Sequence, residues 1–361
     1  MTKVAVLFGG ESPEYEVSIV SAENILKQLE LAGFETAPIG IDPSGKWHFG
    51  SDALNQLKRF RGDGSVKMDS NQRLKLAELQ FDVLFPIIHG RTGEDGSIQG
   101  FCELLGFPYV GGGVLNQAIC MDKITTKRLL TQEGFPQPLW RDLLLKDVLE
   151  SKDREICHIE SSFGYPVFVK PSRAGSSIGI TKAKNRMELL YGLQKAFDVD
   201  SRVIVEQAVP NPVELEVSAL GKDEPFLSVF GEVIPQGEYY DFNDKYLDGA
   251  TRFIVPAHVS ASMEIDMKTQ ARKAWKLLNC HGMARIDFLC SGQTAYLSEI
   301  NTVPGFTDIS MYPNLLEKSG ISQVELMREL VKLAFEKHET SQKNYRFNSQ
   351  SSWYVRNTEG E

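Results

Sequence analysis

Residues 4–10 read Val-Ala-Val-Leu-Phe-Gly-Gly. Five apolar residues with no polar interruption suit a strand, and the glycine pair ends it in a loop. Ile19, Ala22, Ile25, Leu26 and Leu29 follow at helical spacing, and Gly33 stops that helix. A second strand is predicted over 35–41 and another over 81–88, which runs into His89 and Gly90. Strand, helix and strand in this order predict an open parallel sheet with covering helices.

At roughly 150 residues per domain, a chain of 361 residues holds two or three domains. Past residue 116 the pattern changes. A helix is predicted over 125–132, broken by Pro136 and Pro138. A strand over 166–170 ends in Lys170 and opens into a loop of small residues at 171–179. A helix over 187–197 and a strand over 202–206 come next, and Pro210 and Pro212 mark a hinge. Strands at 216–220 and 227–233, a polar and aromatic loop at 237–250 and a helix at 263–279 follow. Paired strands at 284–290 and 295–301 and a helix at 322–337 complete the organised chain; the polar residues after 340 predict a frayed end.

Apolar residues make up 42% and charged residues 24%, a globular balance that excludes wholesale disorder, collagen and coiled coil. Lys plus Arg number 39 against 48 Asp plus Glu, so the net charge is −9. An acidic chain lacks the footprint of a nucleic-acid binder, while a local basic cleft for an anion stays open. Cys102, Cys120, Cys157, Cys280 and Cys290 show no C-x-x-C spacing, so free thiols in a reducing compartment are expected. The N-terminal apolar run is too short for a signal peptide, and no run reaches the roughly 18 apolar residues of a membrane helix. The expected setting is the cytoplasm, with no membrane partner.

Several familiar signatures fail. There is no G-x-x-x-x-G-K-[ST] loop, and the glycine pattern from Gly111 breaks at Asn116. Residues 175–179, Gly-Ser-Ser-Ile-Gly, match G-x-S-x-G, but a nucleophile elbow turns directly from strand to helix and here Pro171 to Ala174 intervene.

Other segments converge on one chemistry. In the strand at 284–290, alternation puts Arg285 and Asp287 on one face and Ala284, Ile286 and Phe288 on the other. Glu299 and Asn301 share a face of the next strand, so a hairpin would gather Asp287, Glu299 and Asn301 beside Arg285. Two carboxylates and an amide oxygen are hard ligands suited to Mg²⁺, and the same set also suits a solvated, salt-bridged sheet face. Lys170 and the small-residue loop after it offer a cation and exposed backbone N–H groups to phosphates, or form an ordinary glycine-rich turn. Residues 89–100, His-Gly-Arg-Thr-Gly-Glu-Asp-Gly-Ser-Ile-Gln-Gly, sit where α/β proteins bind ligands, and also suit a capped helix start. Residues 299–313 run from Glu299 and Asn301 into a Pro-Gly turn that exposes the Gly305 N–H.

At these residues the chain resembles the D-alanine–D-alanine ligase family of the ATP-grasp superfamily, over about residues 3–335. Residues 89–100 match H-G-x-x-G-E-D-G-x-x-Q-G, and 170–180 are similar to the K-P-x-x-x-G-S-S-x-G loop. The A-R-x-D-F and E-x-N-T-x-P-G-F-T segments follow in order at 284–288 and 299–307. The resemblance implies an α/β (α+β ATP-grasp) fold: an open parallel-sheet domain at 1–115, then two ATP-grasp subdomains, 116–208 and 209–340, clasping ATP, with a polar tail at 341–361. It implies ligation of two D-alanines through an acyl phosphate formed with ATP, for peptidoglycan synthesis. Two Mg²⁺ ions, replaceable by Mn²⁺, would bind Asp287, Glu299 and Asn301, and a monovalent cation is a further possibility.

The same resemblance assigns roles residue by residue. Arg285 and the Gly305 N–H would stabilise the oxyanion. Lys123, Lys170, Ser177 and Lys245 would meet the ATP phosphates; Glu206, Gln207 and Val209 would form the adenine hinge, and Glu214 would hold the ribose. Glu16 would hold the first D-alanine's ammonium in a hydrogen-bonded link with Ser176 and Tyr246. Ser310 and Met311 would bind the second D-alanine near His89, and the loop 237–250 would close as a lid. A homodimer is also implied. Tyr15 stands where many members have histidine, the hinge before Glu214 is one residue longer, and 341–361 has no counterpart. Tyr246 favours the dipeptide over D-Ala–D-lactate, and D-Ala–D-serine stays open. A regulatory nucleotide-binding relative on this fold would have no need of Arg285, the metal set and Lys245 together.

Overall fold

The computed structural model describes residues 1–60, 80–235 and 251–344. The first unit contains β1 (Lys3–Gly9), α1 (Tyr15–Leu31), β2 (Glu35–Ile41), β3 (Trp47–Phe49), α2 (Ala53–Lys58), β4 (Val83–Pro86) and α3 (Ser97–Leu105). Its four strands lie in the order β3-β2-β1-β4. β1 pairs parallel with β2 and β4, whereas β3 adds an antiparallel edge to the expected parallel sheet. Val4 to Phe8 are fully buried, as a central parallel strand covered on both faces requires.

The second unit contains α4 (Val114–Met121), α5 (Lys123–Gln132), β5 (Trp140–Leu144), α6 (Leu145–Phe163), β6 (Val167–Pro171), β7 (Thr181–Ala183), α7 (Arg186–Phe197) and β8 (Arg202–Gln207). Its sheet runs β5-β8-β6-β7 and is antiparallel throughout. The third unit contains β9 (Val213–Gly221), β10 (Phe226–Ile234), β11 (Arg252–Ile254), α8 (Ala261–Leu277), β12 (Gly282–Ser291), β13 (Thr294–Asn301), α9 (Met311–Lys318) and α10 (Gln323–Asn344). Its five-stranded antiparallel sheet has the order β11-β10-β9-β12-β13. The last helix continues through Asn344, past the residue where fraying was expected, and the rest of the tail lies outside the described residues.

The third unit folds back onto the first. Leu326, Met327, Leu330 and Ala334 of α10 share one core with Val4, Val6, Ile25, Leu29 and Phe85. The loop after β13 is fastened to α1: the Phe306 N–H donates to Ser21 Oγ at 3.1 Å, and Asn24 Nδ2 donates to the Phe306 carbonyl at 2.9 Å. The Phe306 ring meets Phe85 edge-on at 5.9 Å and is buried. A buried ring of this size is worth about 1.5–3 kcal/mol in transfer alone, and here it also fixes the loop that carries Gly305 and Ser310. Phe306→Ala should cost about 3–5 kcal/mol in denaturant unfolding; a loss under about 1 kcal/mol would contradict this docking.

Candidate active site

One cleft collects side chains from all three units, and α1 begins at its edge. Glu14 is the residue just before that helix; it is buried and lines the cleft. The Ser176 hydroxyl donates to Glu14 Oε1 across the cleft. A Cβ on Gly175 would stand 2.9 Å from Glu14 Oε2, so a larger residue would push the Glu14 carboxylate from its place opposite Ser176. Ser176 and Ser177 both hold left-handed backbone, at φ 45° and 58°, a strained pair of residues of the kind found at ligand sites.

This geometry corrects one expected residue. Glu16 is exposed in the first turn of α1 and does not line the cleft; Glu14 occupies the position opposite Ser176. Positions two apart on a helix do not face the same way, so the two glutamates of Glu-Tyr-Glu cannot exchange roles. The residue standing just ahead of the first helical turn is the signal that separates them.

His89 lies three residues beyond β4 and is buried in the cleft wall. Its Nδ1 lies 3.1 Å from the Val303 carbonyl and 3.6 Å from Glu94 Oε1, two acceptors that place a proton on that nitrogen. Burial works against the imidazolium, but Glu94, Glu14 and the Val303 carbonyl together outweigh it and raise the His89 pKa.

The second unit brings cations. Lys123 opens α5, lines the cleft, and donates to the Ala174 carbonyl at 2.6 Å. Lys170, at the end of β6, lines the cleft and pairs with Glu206 Oε2 at 2.5 Å, while Lys127 pairs with Glu206 Oε1 at 2.7 Å. Burial pushes the Glu206 carboxyl up, yet the two lysines hold it far below the ordinary carboxylate range. Burial likewise opposes the Lys170 cation, and Glu206, with Glu299 and Glu214, more than offsets it. Glu206, Gln207 and Val209 do not line the cleft; the Gln207 amide donates to the Phe163 carbonyl at 2.8 Å and Val209 is buried.

The third sheet supplies the floor. In the register of β12 and β13, Arg285 faces Asn301 and Asp287 faces Glu299. The pairing slips after Asp287, so that Phe288 faces Leu297. Ser298 is the extra residue of this bulge, and it lets Leu297 point to the core while Glu299 stays with Asp287 on the cleft face. Arg285 clamps Asp287 with two hydrogen bonds, Nε to Oδ1 at 2.8 Å and Nη2 to Oδ2 at 2.7 Å. Asn301 Nδ2 donates to Asp287 Oδ2 at 2.9 Å.

Glu216, which the sequence pattern did not single out, lies 3.3 Å from Arg285 Nε, is buried, and faces Asp287 across β9 and β12. Its signal was its place two residues after Glu214 on the same strand; both line the cleft. Burial opposes the Arg285 cation, but Asp287 and Glu216 raise its pKa well beyond the usual guanidinium range.

Gly305 also lines the cleft, and a Cβ there would meet Ser310 Oγ at 2.8 Å. Ser310 stands at the start of α9, where its Oγ accepts the Thr307 N–H at 2.9 Å, and the neighbouring Met311 is buried. Lys245 and Tyr246 fall on 236–250, outside the described residues. Among the described residues no group of three or more His, Cys, Asp or Glu is assembled for a metal. Asp287 and Glu299 with the Asn301 amide are instead the small hard-donor set that Mg²⁺ takes when substrate phosphates supply the rest of its shell.

The family model described as D-ala D-ala ligase N-terminus matches residues 3–112, and the D-ala D-ala ligase C-terminus model matches 129–332. The chain belongs to the D-alanine–D-alanine ligase family. Members of this family are ATP-dependent ligases, with ATP and divalent metal used in the reaction. The chain is 43% identical over 349 residues to the D-alanine–D-alanine ligase of Caldicellulosiruptor bescii, covering 93% of this chain and 96% of that one. It is also 43% identical over 339 residues to the ligase of Clostridium novyi, covering 93% and 98%.

The D-alanine–D-alanine ligase structure from Coxiella burnetii superposes with a TM-score of 0.79 at 31% identity, covering 95% of this chain and 96% of that chain. The VanG D-Ala:D-Ser ligase of Enterococcus faecalis gives 0.79 at 32%, covering 92% and 99%. The fold is therefore that of the ATP-grasp ligases.

Replacing the buried Glu14 by Gln should lower kcat/KM for D-alanine about 10–100-fold, the worth of one charged hydrogen-bonding group, whereas Glu16→Gln should leave it unchanged. Steady-state kinetics with varied D-alanine decides; the reverse ranking would restore Glu16.

Proposed function

We propose that the chain joins two D-alanine molecules into D-alanyl-D-alanine at the expense of ATP, by way of D-alanyl phosphate, and that it does so in the cytoplasm for peptidoglycan precursor synthesis. The observation that carries this reading is the convergence in one cleft of the Glu14–Ser176 pair with the Arg285–Asp287–Glu299 floor. The first is an anionic contact for an ammonium, and the second a place for phosphates and developing negative charge.

In this reading Glu14 holds the first D-alanine by its ammonium, with Ser176 fixing the carboxylate that receives it. One oxygen of the D-alanine carboxylate attacks the γ-phosphorus, the bond to ADP breaks, and an acyl phosphate forms. Lys123 and Lys170 meet the phosphates, with Ser177 on the loop between them, and the segment 206–209 with Glu214 holds adenosine. Asp287, Glu299 and Asn301 would hold Mg²⁺, or Mn²⁺ in its place, which neutralises phosphate charge.

The amine of the second D-alanine, placed by Ser310, Met311 and the His89 wall, then attacks the acyl carbon. Arg285 and the Gly305 N–H stabilise the tetrahedral oxyanion, the attacking nitrogen gives up a proton, and the C–O bond breaks to release phosphate, which takes up that proton. Lys245 and Tyr246 belong to this reading as a phosphate contact and a partner of the Ser176 link. Residues 1–115 supply the first D-alanine site, and 116–208 and 209–340 clasp the nucleotide. A homodimer is also expected, testable by sedimentation.

D-alanine is favoured as second substrate because the relatives at 43% identity over 93% of the chain are named for D-Ala–D-Ala ligation. With ATP, Mg²⁺ and D-alanine alone, mass spectrometry should find D-alanyl-D-alanine and equimolar phosphate. Added D-serine should leave it the dominant product; a dominant mixed dipeptide would overturn the substrate assignment. Arg285→Ala should lower kcat about 10²–10³-fold while ADP still binds, and unchanged turnover would remove the oxyanion role.

A further inference from the structure

Lys127, Glu206 and Lys170 form a chain of two cations on one carboxylate, with side chains 7%, 7% and 18% exposed. Each Glu206 oxygen takes one lysine, at 2.7 Å from Lys127 and 2.5 Å from Lys170. The two lysines are differently placed. Lys170 lines the cleft, whereas Lys127 does not.

Lys127 comes from α5, one turn beyond Lys123, and that helix is firmly seated. Its cap Asp122 accepts the Thr125 N–H at 2.9 Å, accepts from Ser172 Oγ at 3.0 Å, and pairs with Arg202 at 2.8 Å. Two cations on one anion leave an excess positive charge beside the cleft, as a phosphate-binding wall needs.

We propose that Lys127 is a positioning residue for nucleotide binding: it holds the Glu206 carboxylate in place, and paired, when Lys170 turns from Glu206 to a phosphate of ATP. This rests on the reading of Lys170 and the segment from Glu206 as nucleotide contacts. A carboxylate this buried is strongly unfavourable once it loses its partners. With one lysine only, Lys170 would have to serve either Glu206 or the phosphate. With two, Lys127 keeps Glu206 satisfied, and the strand leading into the hinge stays as it was. Glu214 and Glu299 also act on Lys170 from the third sheet, so it already stands between the carboxylate behind it and the charges across the cleft.

The test compares Lys127→Met, Lys127→Arg, Lys170→Met and the double variant Lys127→Met/Glu206→Gln in the full chain. Calorimetric ADP binding and steady-state kinetics are the readouts. Lys127→Met should raise KM for ATP and weaken ADP binding about 10–100-fold, the worth of one charged hydrogen bond, with KM for D-alanine unchanged. Lys127→Arg should restore most of the loss, and the double variant should bind ADP more tightly than Lys127→Met because no unpaired carboxylate is left.

Wild-type ADP affinity in Lys127→Met, while Lys170→Met binds weakly, overturns the proposal and leaves the nucleotide site standing. If Lys170→Met also binds normally, the nucleotide-site reading fails and takes the proposal with it. Should Lys127→Met not fold, Lys127→Arg decides: near-wild-type ADP affinity supports the charge role, and a loss as large as that of Lys170→Met overturns it.

Discussion

The two-pronged pair between Arg285 and Asp287 is the contact on which the rest of the cleft depends. Both groups sit on the cleft face of the sheet with side chains only 17% and 15% exposed, where an unpaired charge is costly. The strand pairing makes the contact possible. Alternation sends Ala284, Ile286 and Phe288 into the core and leaves the charged residues on the other face, and the bulge at Ser298 brings Glu299 into line with them. Glu216 then matters as a second anion on Arg285. If Asp287 turns to a metal ion, the guanidinium still has a partner and keeps its position.

The same arrangement recurs at Glu206, where two lysines share one carboxylate. In both places a buried charge has more than one opposite neighbour. A substrate can then claim one member of the set without stranding another, so the cleft is organised before the nucleotide arrives. Charge fixed in place before the reaction stabilises the transition states of phosphoryl and acyl transfer more than any other device a protein commonly uses.

Much of this was legible in the chain itself. The first strand and helix follow from uninterrupted apolar residues and helical spacing, and the hairpin face follows from counting by two. Other features were not legible, each for a physical reason. The choice between Glu14 and Glu16 turns on where the helix begins, and helix starts are uncertain by a residue or two in sequence patterns. α6 leaves little trace in the sequence because it is mostly polar and shows only a thin apolar stripe, Val148, Ile156, Ile159 and Phe163. Lys127 and Glu216 take their meaning from partners far away in the chain, Glu206 and Arg285, which only the folded sheets bring near. The return of α10 onto the first unit is of the same kind.

In the proposed reaction a D-alanine carboxylate oxygen becomes bonded to phosphorus in this cleft. Running the reaction with D-alanine labelled with ¹⁸O in both carboxylate oxygens, and weighing the released phosphate by mass spectrometry, shows whether it does. An acyl phosphate intermediate transfers one labelled oxygen to each phosphate formed. Unlabelled phosphate, with dipeptide still produced, would mean that the carboxylate is not phosphorylated and that no acyl phosphate forms.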